Sequence, residues 1–303
     1  MKQFKLLTFF IAVIACMQPI FGKEPSTNKT QQSITAYIYS NILQQSTMLP
    51  AAQDASKKII IFDLDGVLCT TNQLRACQEI GIETIRQYFF EHFKFPSSQL
   101  LFETLEQAPA VTTYDAYNEK GLRMPQIMID WQVGAQDLRD IQDTMITHIS
   151  SLDRTITEKN LHIQTILMMT TPTKFITTRQ VIPDGIQLAR ALKKLNYKLY
   201  ILSNWDPTSF PLFVEKFPDF FTFEGKNLFD GIMISGQERV PKPNKEIFTA
   251  CLHKFNIQKS QAIFIDDTIE NIVEAEKMGI ESIHCKNRNI ADVKKQLIQI
   301  LNS

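Results

Sequence analysis

A short apolar run followed by two aspartates constrains this chain more than any other segment. Residues 59–62 are four large apolar side chains, three of them β-branched, which predicts a buried strand. Asp63 and Asp65 follow two positions apart, so an extended backbone directs both carboxylates to the same side. In open α/β sheets, ligands bind at the carboxyl ends of the strands. The segment therefore predicts an acidic ligand site, or an ordinary polar turn that ends at Gly66.

The remaining sequence predicts an α/β fold with one large insertion. After residue 181 strand patterns alternate with helical ones, which is typical of a parallel sheet covered on both faces. The expected strands are residues 198–202, 229–235, 262–265 and 282–285. Between residues 68 and 181 the periodicity is helical, notably at 74–93 and 137–167, without strand alternation. We expect a Rossmann-like, doubly wound parallel sheet built from residues 57–69 and 182–303, with an α-helical cap subdomain inserted at residues 70–181.

The first 22 residues differ from the rest of the chain. A basic start, an apolar run of ten residues and an abrupt polar exit predict a secretory signal peptide cleaved after Gly22. Residues 23–56 are then a polar linker. The alternative is a bacterial lipobox ending at Cys16, whose lipidation would anchor the protein to a membrane. We expect an exported protein, periplasmic or secreted, with the membrane-anchored lipoprotein as the alternative.

The charge balance indicates no polyanionic partner. Lys plus Arg and Asp plus Glu both number 32, and no long basic run occurs. Nucleic-acid binding depends on an excess of positive charge, so we expect no nucleic-acid partner.

Polar side chains follow three of the predicted strands. The pairs are Asp63 with Asp65, Ser203 with Asn204, and Asp266 with Asp267. The carboxyl ends of parallel strands meet at one edge of a sheet, so we expect these side chains to converge. Lys242 lies between two prolines, which hold a loop stiff and can aim one cation. Acids, a hydroxyl, an amide and an ammonium group together suit phosphoryl transfer.

These segments resemble the four motifs of the haloacid dehalogenase (HAD) superfamily. In chain order they are Asp63-Leu64-Asp65-Gly66-Val67, Ile201-Leu202-Ser203-Asn204, Lys242-Pro243, and Ile265-Asp266-Asp267 with Asn271. The resemblance covers roughly residues 57–70 and 182–290, and the helical insertion lies where many members carry a cap. It implies a capped phosphatase-type member that acts on a small phosphorylated metabolite.

The resemblance also implies catalytic and phosphate-binding roles. Asp63 would be the nucleophile that forms an aspartyl-phosphate, and Asp65 would act as general acid and then general base. Ser203 and the backbone of Asn204 would donate to the phosphoryl oxygens, and Lys242 would neutralise the developing charge.

The implied cofactor is Mg²⁺, a hard cation that prefers oxygen ligands. Asp63, the carbonyl of Asp65 and Asp267 would hold the ion. Asp266 would be a further ligand, the partner that fixes Lys242, or a cap for the helix that follows.

Alternatives within and outside the superfamily stay open from the sequence. Enzymes that remove halogen from carbon generally lack the acid two residues after the nucleophile, so Asp65 favours a phosphatase over a 2-haloacid dehalogenase. A phosphomutase keeps the same acid. The non-enzymatic alternative is an exported binding protein on the same scaffold, which the intact motifs oppose. Thr70, Thr71 and Asn72 follow the first motif and are candidates to line the site entrance.

Overall fold

A computed structural model describes residues 58–302 of the chain. The predicted signal peptide and linker, residues 1–56, lie outside the described residues, as does Lys57. None of the helices described is both long enough and apolar enough to cross a membrane.

The strands form one large sheet and two small ribbons. They are β1 Ile59–Phe62, β2 Cys69–Thr71, β3 Arg179–Val181, β4 Lys198–Ser203, β5 Thr222–Phe223, β6 Lys226–Asn227, β7 Gly231–Ile234, β8 Ala262–Asp266 and β9 Glu281–His284. The large sheet has the order β7-β4-β1-β8-β9, and every neighbouring pair in it is parallel. The expected parallel sheet is confirmed, with β1 at its centre.

Helices cover both faces of this sheet and fill the inserted segment. They are α1 Gln73–Ile80, α2 Ile82–His92, α3 Ser98–Leu105, α4 Gln126–Val133, α5 Leu138–Ser151, α6 Ile156–Thr170, α7 Pro172–Thr177, α8 Pro183–Lys194, α9 Phe210–Lys216, α10 Pro218–Phe221, α11 Ser235–Glu238, α12 Lys245–Lys254, α13 Ile269–Lys277 and α14 Ile290–Leu301. Two short 3₁₀ helices span Lys259–Gln261 and Lys286–Arg288.

Alternating side chains of β1 enter two different cores. Ile60 and Phe62 pack in a cluster with residues of α8 and α14, whereas Ile59 and Ile61 pack with residues of α12 and α13. Successive side chains of a strand point to opposite faces, so the sheet is buried on both sides. This arrangement confirms the Rossmann-like α/β class.

The inserted segment is helical, as expected, but its details differ from the sequence prediction. The helical periodicity over 74–93 corresponds to two helices, α1 and α2, which meet at Gly81, whose φ of +99° lies outside the helical region. The helical periodicity over 137–167 also corresponds to two helices, α5 and α6. Much of the insertion packs around its own apolar cluster, which includes Leu105, Ile127 and Ile141. The assignment of residues 70–181 as a cap subdomain stays a prediction.

Two short strands close the insertion, and the sequence did not predict them. β2 and β3 pair antiparallel, with Cys69 opposite Val181 and Thr71 opposite Arg179. Strands of three residues are too short to show a period of two. The pairing brings the two ends of the insertion together beside the carboxyl end of β1.

Candidate active site

The aspartates of the first motif occupy different environments. Asp63 follows β1 directly and is buried, whereas the Asp65 side chain is 54% exposed. Gly66 has a φ of +78°, and a Cβ added to it would lie 1.7 Å from Asp267 Oδ2. Only glycine allows the loop after β1 to approach Asp267 this closely. The loop therefore lies close to Asp267 and brings Asp63 and Asp65 near it.

Lys242 is buried between two carboxylates. Its Nζ lies 2.9 Å from Asp63 Oδ1 and 2.6 Å from Asp266 Oδ2. The backbone N–H of Lys242 donates to Asn204 Oδ1 at 2.7 Å, and Asn204 Nδ2 donates to the Lys242 carbonyl at 2.9 Å. The side chain of Asn204, beyond the end of β4, thus fixes the backbone that aims the lysine.

Asp266 is the last residue of β8 and is fully buried. Its carboxylate accepts from Lys242, from the backbone N–H of Thr268 at 2.8 Å, and from Asn271 Nδ2 at 3.0 and 3.1 Å. Of the roles expected for Asp266, the contact that fixes Lys242 is formed in the structure. The helix α13 begins after Thr268, whose own side chain makes no capping hydrogen bond.

A cluster of three carboxylates could hold a cation. Oxygen atoms of Asp63, Asp266 and Asp267 all lie within 4.8 Å of one another. Burial raises the pKa of Asp63 to about 7, against the opposing effect of Lys242. Burial, with the charges of Asp266 and Asp63, raises the pKa of Asp267 to about 9. Buried carboxylates that repel each other favour a bound cation, and an all-oxygen donor set suits Mg²⁺.

The position of Ser203 suits an anion ligand. Ser203 ends β4 and is buried, and within residues 58–302 its Oγ has no hydrogen-bond partner. A buried unpaired hydroxyl is unfavourable, so an incoming phosphoryl oxygen would satisfy it. Ser203, Asn204 and Lys242 all line one cavity with Asp63 and Asp65. The predicted convergence of the motifs is therefore observed.

Arg179 is a residue of the site that the sequence analysis missed. Its Nη2 lies 2.6 Å from Asp65 Oδ1, and its side chain is only 2% exposed. The guanidinium also donates to Thr71 Oγ1 at 2.6 Å and lies over the rings of Phe175 and Trp205, at 5.3 and 5.1 Å from their centroids. No sequence motif surrounds Arg179, and only the pairing of β2 with β3 brings it to Asp65.

A family profile matches most of the chain. The profile of the haloacid dehalogenase-like hydrolases matches residues 57–279, about three quarters of the sequence. The chain belongs to this family. The match confirms the resemblance seen in the four motifs of this HAD-like hydrolase.

Curated relatives of this HAD-like hydrolase include phosphatases. Over 110 residues it is 29% identical to the sesquiterpene phosphatase astK of Aspergillus oryzae, covering 36% of this chain and 53% of the relative. Over 115 residues it is 28% identical to glyceraldehyde 3-phosphate phosphatase of Pyrococcus abyssi, covering 38% and 45%. The chain thus spans about half the length of these relatives.

Solved structures with a similar chain path are more distant in sequence. A protein from Porphyromonas gingivalis described as a predicted HAD-like family hydrolase is 19% identical, with a TM-score of 0.49. The similarity covers 80% of this chain and 98% of that one.

The cavity of this HAD-like hydrolase has a volume of about 430 Å³. One side carries the carboxylates and Lys242, and the other is formed by residues of α1, α3, α4 and α6. Of the three candidate entrance residues, Thr71 lines the cavity, while Thr70 is buried in β2 and Asn72 caps α1. A second depression of about 530 Å³ lies on the insertion and touches none of the motif residues, so we place the chemistry in the first cavity.

Proposed function

We propose that this protein is a Mg²⁺-dependent phosphomonoester hydrolase that works through an aspartyl-phosphate on Asp63. The observation that carries the proposal is the buried Lys242 ammonium, which lies 2.9 Å from Asp63 within a cluster of three carboxylates. A cation beside a nucleophilic carboxylate suits an anionic substrate and the charge that builds on its phosphoryl oxygens. The phosphatase names of the two curated relatives support this class of reaction.

In the first half of the reaction, an Asp63 carboxylate oxygen attacks phosphorus and forms an acyl phosphate. The P–O bond to the alcohol breaks, and Asp65 gives its proton to the departing oxygen. Lys242 and Ser203 bind the phosphoryl oxygens. Lys242 also keeps Asp63 available as an anion, because its charge opposes the effect of burial on the pKa of Asp63.

In the second half, water attacks the phosphorus of the aspartyl-phosphate. Asp65, now ionised, takes a proton from that water, and the bond between phosphorus and the Asp63 oxygen breaks. Inorganic phosphate leaves and both carboxylates return to their initial states. Arg179 holds the Asp65 carboxylate through the 2.6 Å ion pair.

The residues present fit a magnesium ion. Asp63, Asp267 and the Asp65 carbonyl would hold it, and Asp266 belongs to the same cluster of carboxylates. When bound, Mg²⁺ would supply positive charge that offsets the charge of the carboxylates and of the phosphate.

The test is phosphatase activity of the purified chain from residue 23 onward, with p-nitrophenyl phosphate and Mg²⁺. Asp63→Asn should lower kcat by roughly 10³-fold or more, because it removes the carboxylate that would form the covalent intermediate. Asp143→Asn, the same change at an exposed position on α5, is the matched control and should keep full activity. Near wild-type turnover of Asp63→Asn would refute the mechanism. Halide release from a 2-haloacid without added metal would assign the protein to the dehalogenases instead.

We also propose that the protein is exported, on the basis of the signal-peptide pattern in residues 1–22. Intact mass and N-terminal sequencing of the native protein test this proposal. A chain that starts at Lys23 supports it. A lipidated Cys16 supports the membrane-anchored alternative, and an unprocessed Met1 in the cytoplasm contradicts both.

A further inference from the structure

The wall of the active-site cavity opposite the carboxylates is uncharged apart from Glu119, and most of its larger side chains are apolar. Its side chains include Ile80, Leu101, Met124, Met128, Leu161 and Met169. Within residues 58–302, Lys242 is the only lysine or arginine that lines this cavity. It already contacts Asp63 and Asp266, so no second cation faces the organic part of a substrate. Apart from the motif residues Asp63, Asp65, Asp267 and Lys242, the one charged residue among the described residues that line the cavity is Glu119, which is an acid and is exposed.

His162 is the most buried polar side chain on this wall. It lies on α6, is 3% exposed, and its Nδ1 has no hydrogen-bond partner within the described part of the chain. Burial lowers the pKa of His162 to about 4, so the ring is neutral at pH 7. Gln132 on α4 lines the same cavity, and its Oε1 is also buried without a partner. A neutral imidazole and an amide form hydrogen bonds with hydroxyl or carbonyl groups, but they do not neutralise the charge of an anion.

We infer that the substrate is the phosphate monoester of an uncharged, largely apolar alcohol that carries one further hydroxyl or carbonyl group, placed against His162. This inference rests on the proposed phosphatase activity and specifies its substrate class. A second phosphate or a carboxylate on the substrate would be buried against apolar side chains without a counter-charge, which is strongly unfavourable. Bisphosphates and phosphorylated acids are therefore excluded as good substrates.

A matched set of six-carbon substrates tests the charge requirement. The set is hexyl phosphate, 6-phosphooxyhexanoate and hexane-1,6-diol bisphosphate, each measured at saturating Mg²⁺. We expect kcat/KM for hexyl phosphate to exceed that of the two substrates with a second anion by about 100-fold or more, the effect of leaving one buried charge unpaired.

A lysine at position 169 weakens this preference if the inference is correct. Met169 is partly buried on α6, so a lysine can reach the cavity while its stem covers apolar surface. Met169→Lys should raise kcat/KM for 6-phosphooxyhexanoate relative to hexyl phosphate by about tenfold or more, as a new ion pair would. Met169→Leu is the matched control and should keep the wild-type ratio.

The variant His162→Phe tests whether His162 binds the second polar group of the substrate. Among the monophosphates of the hexanediols, the best isomer should be hydrolysed faster than hexyl phosphate by the wild type, and His162→Phe should abolish that advantage. Absence of any advantage in the wild type would overturn the role of His162. Equal or better hydrolysis of the substrates with a second anion would overturn the inference and leave the phosphatase proposal intact. Failure to hydrolyse any monoester, including p-nitrophenyl phosphate, would refute both.

Discussion

Arg179 Nη2 and Asp65 Oδ1 form a 2.6 Å ion pair, although Asp65 precedes the insertion and Arg179 lies at its end. The arginine is buried, and the aspartate is half exposed. The guanidinium is fixed by Thr71 and by two aromatic rings. A rigid cation therefore orients a carboxylate that would otherwise move freely in solvent, at the place where the proposed reaction needs a proton donor and acceptor.

The first prediction concerns this ion pair. Arg179→Met should lower kcat by about 10- to 100-fold, less than the full contribution of a general acid–base, because Asp65 stays present but loses its orientation. Arg179→Lys should recover part of the activity. A lysine keeps the charge but lacks the planar guanidinium that hydrogen-bonds to both Asp65 and Thr71. Steady-state kinetics with p-nitrophenyl phosphate measure both effects.

A double-mutant cycle separates positioning from a purely structural role. In an Asp65→Asn background, Arg179→Met should have little further effect on kcat, because residues that act as a unit are not additive. Additive losses would mean that Arg179 supports the fold and does not act through Asp65.

The sequence predicted the catalytic side of the site because each motif follows a strand that has a clear signal of its own. Each of the runs before Asp63, Ser203 and Asp266 is apolar over four consecutive residues, and the carboxyl ends of parallel strands meet at one edge of the sheet. Arg179 could not be found in this way, since β3 has only three residues and its partner strand β2 lies at the other end of the insertion in the sequence. The position of His162 could not be predicted either, because the cavity depends on how separate helices approach the sheet.

The second prediction separates the two aspartates of the last motif. Asp267→Asn should raise the Mg²⁺ concentration needed for half-maximal activity by about tenfold or more, because it removes a metal oxygen ligand. Asp266→Asn should mainly lower kcat, since Asp266 holds Lys242 and accepts from Thr268 and Asn271. Magnesium titrations of both variants make the comparison. Equal shifts in the magnesium requirement would assign Asp266 as a ligand of the same importance.

The third prediction uses the buried histidine. The pKa of His162 is about 4 in the folded protein against an ordinary value of 6.5. Below pH 6.5 the unfolded chain takes up a proton that the folded chain does not, so stability falls as the pH falls from 6.5 to 4. The loss is on the order of 3 kcal/mol by pH 4. Urea denaturation of the wild type and His162→Phe should show this loss as a difference between their pH profiles. His253→Phe, at an exposed position, is the matched control. Parallel profiles for the wild type and His162→Phe would contradict the lowered pKa of His162.

The last prediction concerns the carboxylate cluster without metal. The pKa of Asp267 is raised to about 9, so in EDTA the folded protein holds a proton that the unfolded chain has released. Stability contributed by that proton is complete at low pH and is lost as the pH rises toward 9. Between pH 6.5 and 9 the free energy of unfolding in EDTA should fall, at up to about 1.4 kcal/mol per pH unit for one group. Asp267→Asn should remove most of this slope.

Mg²⁺ should stabilise the wild type more at pH 9 than at pH 6.5, because at the lower pH its binding must displace the proton. A wild-type profile in EDTA parallel to that of Asp267→Asn, or equal stabilisation by Mg²⁺ at both pH values, would show that Asp267 is already ionised without the metal.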